Sequence, residues 1–145
     1  MSVDRRRALK LLGLGALSPA AASPISANPS ETPTRFRHGV ASGDPTPSSV
    51  MLWTRAVWAD HDGTGDPIAL TVEVSKSDSF DTLVTSTDVS ADGADDFTVR
   101  VLVEQLSPAT TYYYRFRAGA DTSRVGRTRT APKADADVAV RFAWA

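Results

Sequence analysis

A chain of 145 residues with 41% hydrophobic and 23% charged side chains has material for one small hydrophobic core rather than two. It contains no cysteine, which excludes a disulfide framework, a thiolate zinc site, a cysteine nucleophile and a lipid-modified Cys, so stability has to come from packing. The formal net charge is only -1, but the charges are unevenly placed along the chain.

Residues 1–27 read as an export signal and not as part of the fold. A basic start (Arg5, Arg6, Arg7, Lys10) precedes a short apolar stretch over 11–22, with small residues at Ala22 and Ala27 where a signal peptidase could cut. The order Arg5, Arg6, Leu9, Lys10 resembles a twin-arginine signal, with Asp4 and Ala8 departing from the usual pattern. The apolar run falls short of the ~20 residues a spanning helix needs, so a stable membrane anchor is not expected. Without this segment 12 basic side chains face 16 acidic ones, a net of -4. That balance argues against nucleic acid or anionic lipid as partner, since both select basic surfaces.

After a linker over 28–34, no run shows the 3.6-residue period of an amphipathic helix. Short β-rich runs recur at intervals of about 8–12 residues between Gly, Pro, Asp and Ser clusters, as in an antiparallel sandwich. Strands are predicted at 36–41, 49–56, 68–75, 83–89, 97–104, 111–118 and 124–130, about seven in all, the number of an immunoglobulin-like fold.

Near the first of these, "GVASGDP" (Gly39, Val40, Ala41, Ser42, Gly43, Asp44, Pro45) describes a strand breaking into a turn. A phosphate cradle would need a following helix with a Lys, which is lacking. The second run is apolar on both faces, with Val50, Met51, Leu52 and Trp53 in succession. It offers either a few ordinary exposed apolar residues or a patch that docks on another domain.

The loop "ADHDGTGDP" gathers Asp60, His61, Asp62 and Asp66 around glycines. It lacks the Asp spacing and distal Glu of a calcium-binding EF-hand, and reads as a solvated acidic turn. In "LTVEVS" the residues Leu70, Val72 and Val74 share one face, and in "DDFTVRVLVEQL" Phe97, Val99, Val101 and Val103 oppose Thr98, Arg100 and Glu104. In "LSPATTYYYRFRAG" a Leu-x-Pro turn precedes Tyr112, Tyr114 and Phe116, which point inward. This resembles the fibronectin type III pattern, in which a tyrosine hydroxyl bonds back to the backbone. Tyr112 is the candidate, and Trp53 the candidate core tryptophan.

Arg115, Arg117, Arg124, Arg127 and Arg129 gather on the last two strands. Cross-strand pairing with acids on a solvated face is the expectation, with phosphate binding or a salt bridge to another domain as the alternatives. His38 and His61 are the two histidines, Ser42 and Thr54 have no base paired with them, and no catalytic, cofactor or metal site is assigned. After a linker, "ADVAVRFAWA" alternates Val138, Val140, Phe142 and Trp144, the pattern of a buried strand.

The sequence from Phe36 onward resembles the opening of the alkaline phosphatase D (PhoD-like) family. The resemblance rests on GVASGDP followed by a strand ending in Leu52-Trp53-Thr54-Arg55, with TTYYYRFRAG and SRVGRTRTAP closing the domain. It implies an N-terminal sandwich over 35–132 and, in 133–145, a linker and the first strand of a metallophosphoesterase catalytic domain. That domain, expected in cis or as a separate chain, would carry the family's calcium, iron and catalytic residues, leaving these 145 residues inactive by themselves. The resemblance thus implies an accessory domain of an exported phosphatase or phosphodiesterase, cut short before its catalytic part. A free-standing exported module that binds a protein or glycan is the alternative.

Overall fold

The computed structural model describes residues 34–59 and 65–139. The signal residues Arg5, Arg6, Leu9 and Lys10, the acidic-loop residues Asp60, His61 and Asp62, and the terminal Val140, Phe142 and Trp144 lie outside the described residues.

Seven strands carry the described fold: β2 (Val40–Gly43), β3 (Val50–Arg55), β5 (Ile68–Ser75), β6 (Leu83–Ala91), β7 (Thr98–Val103), β8 (Thr111–Ala118) and β10 (Gly126–Arg129). Three two-residue strands, β1 (Thr34–Arg35), β4 (Val57–Trp58) and β9 (Asp121–Thr122), complete it. One sheet runs β10-β8-β5-β6, with β9 attached to β8; the other runs β2-β3-β7; β1 pairs only with β4. Every pairing is antiparallel. This is the expected all-β, immunoglobulin-like and fibronectin-like sandwich.

Alternation along each strand builds the core. Val50 and Leu52 from β3 and Val99 and Val103 from β7 meet Leu70, Val72 and Val74 from β5 and Tyr112, Tyr114 and Phe116 from β8, all buried. Tyr114 and Phe116 pack edge to face with centroids 6.4 Å apart, a favoured geometry for aromatic quadrupoles.

β2 runs on to Gly43, β6 runs on to Ala91 and β10 is shortened to Gly126–Arg129, and at two other boundaries backbone conformation overrides the side-chain pattern. Residues 36–39 are a turn and not strand: Gly39 takes φ +72° and its N–H donates to the Phe36 carbonyl, 3.1 Å, so β2 starts only at Val40. Phe97 is buried as expected, yet it and Asp96 have φ of +56° and +52°, so β7 starts one residue later. The left-handed region costs a non-glycine residue about 1–2 kcal/mol. Burial of the Phe97 ring offsets that cost, together with a hydrogen bond from its N–H to Asp92 (2.7 Å) and one from Ala56 N–H to its carbonyl (3.1 Å).

Candidate functional site

The motif residues of β2 and β3 divide by the pleat into two sets. The inward set does structural work. Leu52 is fully buried, and the buried Thr54 hydroxyl donates to the Gly39 carbonyl across 2.9 Å, tying the turn before β2 to the next strand. On Tyr114, burial pushes the phenol up from its usual value of 10.0, and the exposed Ser42 hydroxyl nearby only partly opposes the shift. Asp44 takes φ +46° where the strand ends and Pro45 comes next, which completes the break into the turn.

The outward set has no such internal duty. Register places Gly43 and Leu102 on either side of Met51, and Ala41 and Arg100 on either side of Trp53. Met51 and Trp53 are half-buried, while Ala41, Gly43 and Leu102 are exposed. Trp53 is therefore not the core tryptophan the fibronectin-like pattern suggested: it stands on the outer side of its strand, and the core position beside it belongs to Leu52. Arg55, next on the same face, is drawn aside by Asp96, donating to its carbonyl (2.9 Å) and its carboxylate (2.8 Å).

At one end of the sandwich the chain's exit is clamped. The Tyr112 hydroxyl accepts a hydrogen bond from Ser107 N–H at 2.8 Å, which pins the Leu-x-Pro corner. The buried Thr130 hydroxyl donates to the Ser107 carbonyl (2.6 Å) and accepts from Thr110 N–H (3.0 Å). Ala131 N–H then donates to Thr46, 3.0 Å, in the turn joining β2 to β3. Beyond this point residues 133–139 are exposed.

The opposite outer face, on β10-β8-β5-β6, is polar and closed on itself. Glu73 is buried there between Arg115, which donates to it across 2.6 Å, and Arg117, across 3.2 Å. Burial pushes the Glu73 carboxyl up, but the hydrogen bonds and charges of the two arginines outweigh this and hold it below the usual 4.5. The Arg115 guanidinium also stacks on Phe80, 4.2 Å from its centroid. Both arginines thus pair across the strands with Glu73, the arrangement expected of charges on a solvated sheet face. Arg127 and Arg129 share this face, opposite Tyr113 and Thr111, while Arg124 lies before β10 with its side chain near Gly39. An open concavity of about 560 Å³ beside Glu73 and Asp88 has both carboxylates already engaged, Asp88 by the Thr71 hydroxyl at 2.9 Å.

Among the described residues no three His, Asp or Glu side chains converge so as to hold a metal ion. His38 is exposed, and the Asp66 carbonyl accepts from the Trp58 indole N–H at 3.0 Å. The described donor set therefore does not fit calcium or iron at a hydrolytic centre. No helix among the described residues is long and apolar enough to cross a membrane.

Residues 20–132 match the family described as PhoD-like phosphatase, N-terminal domain. The chain belongs to this family. The PhoD-like domain is 36% identical over 138 residues to alkaline phosphatase D of Bacillus subtilis (strain 168), a match covering 92% of this chain and 24% of that protein. It thus spans about a quarter of the length of that relative. A solved structure of PhoD superposes with a TM-score of 0.67 at 38% identity, over 75% of this chain and 21% of that one. The sensor domain of the anti-sigma factor RsgI4 in Pseudobacteroides cellulosolvens shares the fold alone, with a TM-score of 0.52 at 11% identity, over 65% of this chain and 92% of that one.

Sequence reasoning did not pick out Glu73, Thr130, Gly126 or Leu102. Each acts through a partner far along the chain, Arg115 lying 42 residues from Glu73 and Ser107 lying 23 from Thr130, so no local pattern marks it. The one local clue was Glu73 as the single charged residue on its strand.

Proposed function

We propose that this chain is the accessory N-terminal domain of an exported PhoD-like phosphatase, and that it packs against, and shapes access to, a metallophosphoesterase catalytic domain carried by the rest of such a protein. The observation that carries this reading is the pairing of a family match over 20–132 with coverage of only 24% of alkaline phosphatase D. The described residues supply a rigid sandwich and an anchored exit segment, but no convergent donors for metal-assisted hydrolysis. Calcium and iron belong, on this reading, to the catalytic domain. The twin-arginine-type signal with Arg5, Arg6, Leu9 and Lys10 would carry the protein across the membrane already folded.

The test replaces the N-terminal domain of the Bacillus enzyme with this chain. Hydrolysis of p-nitrophenyl phosphate is then compared for the chimera, for the Bacillus catalytic portion alone, and for this chain with added calcium and iron. The chimera is expected to exceed the catalytic portion alone in soluble active enzyme, and the chain is expected to be inactive. Turnover by the chain itself, or a chimera no better than the catalytic portion, would defeat the reading.

A further inference from the structure

The two outer faces of the sandwich differ in kind. The face of β10-β8-β5-β6 satisfies its central charges internally, through Glu73 with Arg115 and Arg117. The face of β2-β3-β7 carries apolar side chains that reach solvent: the half-buried Met51 and Trp53 stand side by side on β3, Leu102 across from Met51 is 49% exposed, and the small Ala41 and Gly43 leave β2 flat beside them. Arg100, across from Trp53, is exposed and has no acidic partner among the described residues.

We propose that this face, centred on Met51, Trp53 and Leu102, is the surface on which the downstream catalytic domain of a PhoD-like phosphatase packs, tethered in cis through residues 132–139. This deepens the function proposed above and rests on it. Position supports it first. The exit segment is held to Thr46, and Thr46 lies in the turn joining the Gly43 end of β2 to the Met51 end of β3. The tether therefore starts at the edge of this face from a fixed point. Eight extended residues reach at most roughly 27 Å, so a domain attached to their far end stays close to a face roughly 17 Å long.

Size supports it next. Three strands at ~4.8 Å spacing over that length present roughly 250 Å², or roughly 500 Å² counted on both partners, well below the ~1,200 Å² typical of separate chains that associate stably. A patch this small works when the partner is covalently joined, because a short linker supplies an effective concentration in the millimolar range. That favours a tethered domain over a second copy of the chain or a free protein. The partner surface this face selects is apolar over Met51, Trp53 and Leu102, with a carboxylate facing Arg100.

The test is hydroxyl-radical footprinting of the free chain and of its chimera with the Bacillus catalytic portion. Oxidation at Met51, Trp53 and Leu102 is expected to fall roughly tenfold in the chimera, as water is excluded from an interface core, with Leu83 and Val84 on β6 unchanged. Leu102→Arg is expected to leave the melting temperature of the free chain unchanged and to split the chimera's unfolding into two transitions. Protection on a different face would overturn this assignment while leaving the accessory-domain reading in place. Protection nowhere on the domain would overturn both. Protection of the same residues in the free chain, rising with its concentration, would show self-association and overturn the tethered partner.

Discussion

Gly126 sits across the ladder from Tyr114, and a Cβ built on it would lie 2.3 Å from Cζ and 2.7 Å from the hydroxyl oxygen of that tyrosine. The ring thus occupies the space a side chain at 126 would need, and with Tyr114 2% exposed and packed edge to face on Phe116 it has no room to swing away. Gly126→Ala is expected to destabilise the domain by about 1–3 kcal/mol through overpacking, read as a lower urea midpoint with an unchanged slope. Tyr112→Phe tests the corner. It keeps the ring and removes the acceptor for Ser107 N–H, so a loss of about 1–2 kcal/mol with an unchanged far-ultraviolet circular dichroism spectrum is expected.

Strands express their physics through alternation, and β3 shows both its strength and its limit. Adjacent residues of similar hydrophobicity have opposite fates there: Leu52 is fully buried and Met51 faces outward. Leu52→Ala is expected to cost about 2–5 kcal/mol in the free chain, because it opens a cavity, whereas Met51→Ala should cost less than about 1 kcal/mol. Equal losses in chemical denaturation would mean that the outer face is covered by something other than solvent. The period of two placed Leu70, Val72, Val74, Tyr112, Tyr114 and Phe116 inward from sequence. It did not identify which side of β3 was inner, since Val50 to Trp53 are all apolar and apolar residues on both faces carry no sign. Positive φ at Gly39 and Phe97, held by hydrogen bonds to Phe36 and Asp92, moved strand starts away from where apolar alternation put them.

At the level of the whole molecule, stability should respond to acid through Glu73. Its carboxyl is held below its ordinary 4.5 in the folded state, so the charged form stabilises the fold above that value, and this contribution is lost as pH falls through the lower, folded value. Glu73→Gln is expected to lower the urea midpoint at neutral pH, and the gap from the unsubstituted protein should close as pH drops below 4.5. A gap independent of pH would show that shape rather than charge is what the residue supplies.

Composition and period sufficed for the class of fold and for seven strands in nearly correct places, while the Tyr112 corner and the family resemblance rested on short motifs, LSPATTYYYRFRAG and GVASGDP with Leu52-Trp53-Thr54-Arg55. These depend on neighbours within a few residues, where the geometry of the chain is fixed by covalent structure and alternation. The pairing of Glu73 with two arginines, the yielding of space at Gly126 to Tyr114, the clamp of Thr130 on the exit segment and the outward placing of Trp53 were decided only when the sheets came together. Each is a contact between residues brought side by side by strand register, and register is a property of the assembled sandwich.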